Sequence, residues 1–185
     1  MNITNHIHNQ ITQIWSTDLA ADYDAGRLLK EDSLKNAFYY HLRRRLTDEF
    51  LDEHDLQIFP ELDSGPLKGT GKRADLAIVK MDYNKEVDYW GDAVEEILVI
   101  IELKYKANNS AVKAIMEDVK KLKSYIEDDK VDCHYYLGVI REIEWEHDNY
   151  IFDDDTWANG SVTELVATWN ENDEMDFRVV EHSML

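Results

Sequence analysis

Five consecutive apolar residues, Ile97-Leu98-Val99-Ile100-Ile101, run straight into Glu102-Leu103-Lys104. A run of this kind reads as a strand buried on both faces, so the fold must cover its sheet on both sides. A buried strand should end quietly in a turn, yet this one ends in Glu102, Lys104 and Lys106. Side chains two apart on a strand share a face. Glu102 and Lys104 therefore project together, roughly 7 Å apart at a rise of ~3.3 Å per residue, with the Leu103 carbonyl between them.

The rest of the chain supplies the cover. Ile3, Ile7, Ile11 and Ile14 recur at helical spacing and predict an amphipathic N-terminal helix over 3–15. "DYDAG" (22–26) reads as a turn. A longer helix is expected from about Leu28 to Leu51, with Leu34, Phe38, Leu42, Leu46 and Phe50 as its stripe. "LQIFPEL" (56–62) is a strand whose Pro60 marks an edge, "DSGPLKGTGK" (63–72) a hairpin loop, and "RADLAIVKMD" (73–82) the return strand. A third strand spans Glu96 to about Lys106. A helix over 108–129 follows, capped by Asn109 or Ser110, with Val112, Ile115, Val119, Leu122 and Ile126 as its stripe. "CHYYLGVIREIEWE" (133–146) is a fourth strand, its acidic end alternating around a buried Ile143. "VTELVATW" and "DFRVVEH" flank the turn "NENDEM" as a hairpin. Strands joined by a hairpin run antiparallel, and strands three and four, joined through a helix, run parallel by a right-handed crossover. The expected fold is α/β: a mixed central β-sheet flanked by helices, an α-β-β-β-α-β core with an N-terminal helix and a C-terminal β-hairpin extension. One domain is expected over residues 1–185, with its core at 28–141 and an acidic, β-rich extension at 142–185.

Charge complicates any functional reading. The net charge of −19 argues against unaided binding of nucleic acid, which needs many basic contacts. The acidity is uneven, however. Residues 126–185 hold 17 Asp/Glu against 3 Lys/Arg, whereas residues 1–125 hold 22 against 17 and keep local basic groups. The lone cysteine, Cys133, rules out an internal disulfide framework and fits a reducing compartment. With no charged-then-apolar leader and no long apolar run, the expectation is a cytoplasmic protein without a membrane partner.

Asp75 sits near the start of the second strand. If that strand pairs antiparallel with the third, Asp75 comes beside Glu102 and Lys104. Two carboxylates, a carbonyl and an ammonium suit a hard divalent cation, which takes oxygen ligands and keeps several waters. Such an ion lowers the pKa of a bound water and neutralises charge growing on a phosphate, and a neighbouring lysine stabilises the transition state.

"RAD" followed by "ELK", with 27 residues from Asp75 to Glu102, resembles the PD-(D/E)XK nuclease superfamily, whose fold is α-β-β-β-α-β. The resemblance covers about residues 28–141. It implies that Asp75, Glu102 and Lys104 are catalytic, that Asp75, Glu102 and the Leu103 carbonyl hold Mg²⁺ (with Mn²⁺ as a substitute), and that Glu31 on the first core helix reaches the metal through water. "KLKSY" (121–125) is similar to the family's Gln-hydrophobic-x-x-Tyr, with Lys121 in the Gln place and Tyr125 intact. Lys72, Arg73, Lys106, Lys121 and Tyr125 are then the candidate DNA contacts.

Plainer readings stand beside these. Glu102 and Lys104 also fit a strand-end ion pair, which is worth little. Asp75 also fits a partner for Arg73, and Glu31, like its neighbour Asp32, is favoured at a helix N-terminus by the dipole alone. Lys121 and Tyr125 also fit an exposed lysine and a core-edge tyrosine, and Arg43–Arg45 a solvated helix face. "GPLKGTGKR" has one residue too many between its outer glycines for a phosphate-binding loop and lacks Ser/Thr after Lys72. His6-x-His8 and Cys133-His134 lack the partners that zinc requires, and no Gly-x-Ser-x-Gly elbow is present.

The expectation is a Mg²⁺-dependent deoxyribonuclease working with a protein partner or as a homo-oligomer. The alternative is a catalytically inactive nuclease-fold module that docks through its acidic last third. A DNA mimic, or an acidic extension that covers the site until a partner displaces it, are further readings of the same charge.

Overall fold

A computed structural model describes residues 2–106, 111–127, 131–142, 150–151 and 156–182, with the side chains of 111 and 112 excepted. Six strands form one mixed sheet in the order β1-β2-β3-β4-β5-β6. These are β1 (Leu56–Leu62), β2 (Ala74–Met81), β3 (Val94–Lys106), β4 (His134–Arg141), β5 (Val162–Trp169) and β6 (Met175–Glu181). The first two pairings are antiparallel, β3–β4 and β4–β5 are parallel, and β5–β6 is antiparallel. The C-terminal hairpin thus continues the central sheet, with Tyr135–Ile140 laddered against Val162–Ala167.

Both faces are covered, as the apolar run of β3 demands. Against one face pack α1 (Ile3–Gln13), α2 (Ala20–Asp24), α3 (Glu31–Leu46) and α4 (Asp48–Glu53). Their buried Ile7, Ile11, Phe38 and Leu42, with Trp15 between α1 and α2, meet Val99, Ile101, Leu103 and Tyr105 of β3. Against the other packs α5 (Ala111–Glu127), whose Ile115, Val119 and Leu122 meet Ile100, Leu137 and Val139. Alternation along β3 therefore turns Glu102 and Lys104 toward α5.

Three helix boundaries differ from expectation. The N-terminal helix does not stop near residue 15. A π-helical stretch, Ile14–Leu19, carries it into α2 with Trp15 fully buried, and the chain turns only at Ala25 and Gly26. Asp22 is thus a helical residue, held by Arg27 and by the His41 ring at 2.8 Å. The long helix starts at Glu31, where the Ser33 hydroxyl accepts from the Leu29 and Lys30 N–H groups. It breaks at Thr47, whose φ of 57° ends α3 and whose hydroxyl accepts from the Phe50 N–H to begin α4. Phe50 leaves the stripe and is only half-buried. The trio Arg43–Arg45 lies in the last turn of α3, where cations suit the helix dipole. Arg45 pairs with Asp18, Arg43 with Asp48, and Arg44 lies over the Tyr40 ring.

Asn109, Ser110, Ile143 and the acidic loop residues 153–155 lie outside the described residues. No helix among the described residues is long and apolar enough to cross a membrane.

Gly138 on β4 is a close-packing position opposite Leu103. A Cβ there would stand 2.5 Å from Leu103 Cδ2 and 3.4 Å from the Trp15 ring. The missing side chain lets Leu103 seat in the helical layer while Glu102 faces the other way. Gly138→Ala should cost about 1–3 kcal/mol by overpacking. Urea unfolding measures it, and an unchanged midpoint contradicts it.

Candidate functional site

β2 and β3 run antiparallel with Leu76 opposite Ile101, which carries Asp75 to the level of Glu102. The Asp75 Oδ2 accepts a hydrogen bond from the Leu103 N–H at 2.8 Å, fastening it to the Glu102–Leu103 peptide. Its Oδ1 takes the Lys35 ammonium of α3 at 2.7 Å. Glu102 is 1% exposed, and its Oε2 accepts from Lys121 Nζ of α5 at 2.6 Å. Its Oε1 is buried without a hydrogen bond. Burial pushes the Glu102 carboxyl up to about 8; the Lys121 charge opposes this, while Asp75 and Asp118 add to it.

Lys104 stands on the same face of β3. Its ammonium lies 3.1 Å from Asp118 of α5 and 3.3 Å from Glu31 of α3. Burial works against its charge, but the two carboxylates outweigh burial and raise its pKa. Burial likewise raises the Asp118 carboxyl, against the pull of Lys104. Glu31 also lies 3.5 Å from Lys35, which reaches Glu61 at 3.1 Å. The result is an alternating network of Lys35, Lys104 and Arg73 with Glu31, Glu61, Asp75 and Asp118, since Arg73 closes on Glu61 at 2.7 Å, and the Glu102–Lys121 pair lies beside it.

Of the residues singled out in the sequence, Asp75, Glu102, Leu103, Lys104, Glu31 and Lys121 thus converge. Glu31 joins through Lys104 and Lys35. Asp75, Lys72, Arg73 and Lys121 line a cleft of about 630 Å³ together with Asp63, Gly69 and Gly71. The Lys72 ammonium donates to the Ser124 carbonyl at 2.8 Å and lies 5.0 Å from the centre of the Tyr125 ring. Tyr125 is 2% exposed, so it supports Lys72 and Lys121 from beneath rather than facing the cleft itself. Lys106 stands one pleat beyond Lys104, at the level of Arg141 and outside the cleft lining.

Sequence reasoning missed Lys35, Glu61 and Asp118. Lys35 lies one helical turn after Glu31, and Asp118, Lys121 and Tyr125 recur at i, i+3 and i+7 on α5. Charged residues inside an otherwise apolar helix face were the available signal. The sequence also kept His8 and His134 apart, whereas their rings meet at 5.8 Å beside a cavity of about 190 Å³ that includes His182.

Among the described residues no three His, Cys, Asp or Glu side chains close around one point. What β2 and β3 offer is smaller: two carboxylates, one with a buried oxygen lacking a hydrogen bond, beside the Leu103 peptide. That donor set fits a hard cation that retains water in its remaining positions. Compared with protein-family models, with curated proteins and with solved structures, the chain matches none.

Proposed function

We propose that this chain is a divalent-metal-dependent deoxyribonuclease. The observation that carries the reading is the Asp75–Leu103 hydrogen bond of 2.8 Å, which ties the second-strand carboxylate to the peptide between Glu102 and Leu103. Asp75 and Glu102, with the Leu103 carbonyl, are the residues that would hold Mg²⁺. When bound, the ion would supply charge neutralisation at the phosphate and acidify a water.

The chain's own groups do the rest. Lys104, kept cationic by Asp118 and Glu31, directs its ammonium toward negative charge developing on the phosphate. Lys121, which now donates to Glu102, is freed to meet a phosphate oxygen when another cation takes that carboxylate. Arg73, with its side chain 64% exposed, and Lys72 lie along the cleft for flanking backbone phosphates. The net charge of −19 supports a basic protein partner as the source of added affinity.

Incubation with plasmid or single-stranded DNA and Mg²⁺ or Mn²⁺ tests the reading. Wild type should cleave, and Glu102→Ala and Lys104→Ala should each lose about 10²–10³-fold in rate. Cleavage that survives both substitutions sinks it. A second reading, a non-catalytic docking module, draws support from the pairing of Lys35, Lys104 and Lys121 with carboxylates of this same chain. Calorimetric titration that detects no divalent-ion binding favours that module.

A further inference from the structure

Three of the chain's largest aromatic side chains are not in its core. Tyr83, Tyr89 and Trp90 are 48%, 62% and 65% exposed. They gather on the connection between β2 and β3, and they are held there. Gln57 donates to the Tyr83 hydroxyl at 3.0 Å, and the Trp90 ring meets Tyr83 edge-on at 6.3 Å. Gly91 allows the close approach, since a Cβ there would lie 2.5 Å from the Tyr89 ring and 2.7 Å from the Ser64 hydroxyl. The Asp92 N–H closes a turn on the Tyr89 carbonyl at 2.9 Å, and Lys85 donates to the Asp92 carbonyl at 2.7 Å. An exposed shelf with a fixed backbone has already met most of the ordering cost of gripping a ligand.

Beside the shelf opens a cavity of about 210 Å³, lined by Tyr89, Trp90, Phe59, Pro60 and Asp63 among others. That is below the range for drug-sized ligands and has room for a flat ring. Asp63 also lines the cleft that holds Asp75, Lys72 and Arg73, so the two hollows share a wall. Of the acids beside that wall, Glu61 is answered by Lys35 and Arg73, while Asp63 itself accepts from the Ser64 hydroxyl at 3.4 Å. Aromatic faces next to a track of lysine and arginine heads suit a polyanion whose flat groups are free to splay out. Duplex DNA keeps its bases stacked inside, and a single strand does not.

We propose that the Tyr89–Trp90 shelf stacks unpaired bases of single-stranded DNA whose backbone follows the neighbouring cleft. The inference rests on reading that cleft as a nuclease site, and it names the substrate as single-stranded rather than duplex DNA.

Fluorescence anisotropy tests it in EDTA at low salt. The probes are a labelled oligothymidine of about 16 nucleotides, the upper span of one small module, a duplex of equal length, and an equal-length abasic backbone. Wild type should bind the oligothymidine roughly tenfold tighter than the abasic strand. Trp90→Ala and Tyr89→Ala should each weaken oligothymidine binding roughly fivefold or more while leaving abasic and duplex binding unchanged. Trp90→Phe should restore most of the loss. Both side chains are exposed, and circular dichroism checks that the fold persists. Equal binding of abasic and base-bearing strands, or alanine variants that bind as wild type does, overturns the proposal. Binding of no probe also overturns it and leaves the shelf to a protein partner. Cleavage by wild type and Glu102→Ala in Mg²⁺, run in parallel, separates the two readings. Cleavage without base preference removes the shelf alone, and base preference without metal-dependent cleavage supports the shelf and removes the nuclease reading alone.

Discussion

Glu164→Ala is expected to destabilise the chain by about 3–5 kcal/mol. Glu164 lies on β5 with no exposed surface. Its Oε2 accepts from the Tyr150 N–H at 2.7 Å, and its Oε1 accepts from the Ile151 N–H at 3.2 Å and meets His182 Nε2 at 2.8 Å. Alanine strands two buried backbone donors and an imidazole at once, each worth about 1–3 kcal/mol when left unsatisfied. Urea unfolding read by linear extrapolation measures the loss. Glu164→Gln keeps an acceptor oxygen and should recover part of it. A change for the alanine variant within about 0.5 kcal/mol, the usual span for surface substitutions, contradicts this role. The experiment also bears on the acidic last third, because this one of its carboxylates is an internal clamp and not docking surface.

The second large effect is a fall in stability with rising pH, measured in EDTA. Burial holds the Glu102 carboxyl at about 8 in the folded chain, against an unfolded value near 4.5. Below 4.5 both states carry the proton, and the contribution is fully present. Between 4.5 and 8 the unfolded chain releases the proton while the folded chain keeps it, so stability falls as pH rises. Above 8 the loss is complete. Each unit of displacement corresponds to about 1.4 kcal/mol, so the decline amounts to several kcal/mol. Glu102→Gln has no proton to lose. The stability difference between wild type and this variant should therefore shrink or reverse between pH 5 and pH 9. A difference that is flat with pH refutes the assignment. Lys121→Met removes the charge that opposes protonation and should carry the decline to higher pH. A divalent ion that binds the carboxylate should restore stability at the alkaline end by mass action.

Much of the sheet is legible in the sequence because strand signals are local. Ile97–Ile101 reads as an interior strand, and the Gly/Pro-rich loop after Leu62 makes β1 and β2 neighbours. From those pairings the meeting of Asp75 with Glu102 follows by register. The helix boundaries were less legible. The signal at Thr47 was present, three arginines before it and Asp48-Glu49 after it, but an unbroken i,i+4 stripe through Phe50 masked it. Nothing in 14–19 announces a π-helical stretch, whose Trp15 is buried over Gly138.

The charge network was hidden for a different reason. Lys35, Asp118 and Lys121 reach β2 and β3 from helices on two sides, and the rotation of a helix about its axis depends on packing with residues far away in sequence. Asp118 and Lys121 sit beside the buried Ile115, Val119 and Leu122, so they point at the sheet only because that stripe does. Periodicity gives the stripe, and only the assembled layers say which carboxylate the flanking charges will meet.

The sheet order β1-β2-β3-β4-β5-β6 means that each strand lies beside the one made just before it. A chain emerging from a ribosome could add strands one at a time, each onto an edge already present, with no gap held open for a later segment. The newest edge stays exposed until its successor arrives. For β3 the wait is the longest, from Lys106 to His134, during which the edge that later ladders with His134–Arg141 is open to other chains. By that measure the interval before β4 docks is the point in synthesis where this protein is most exposed to aggregation.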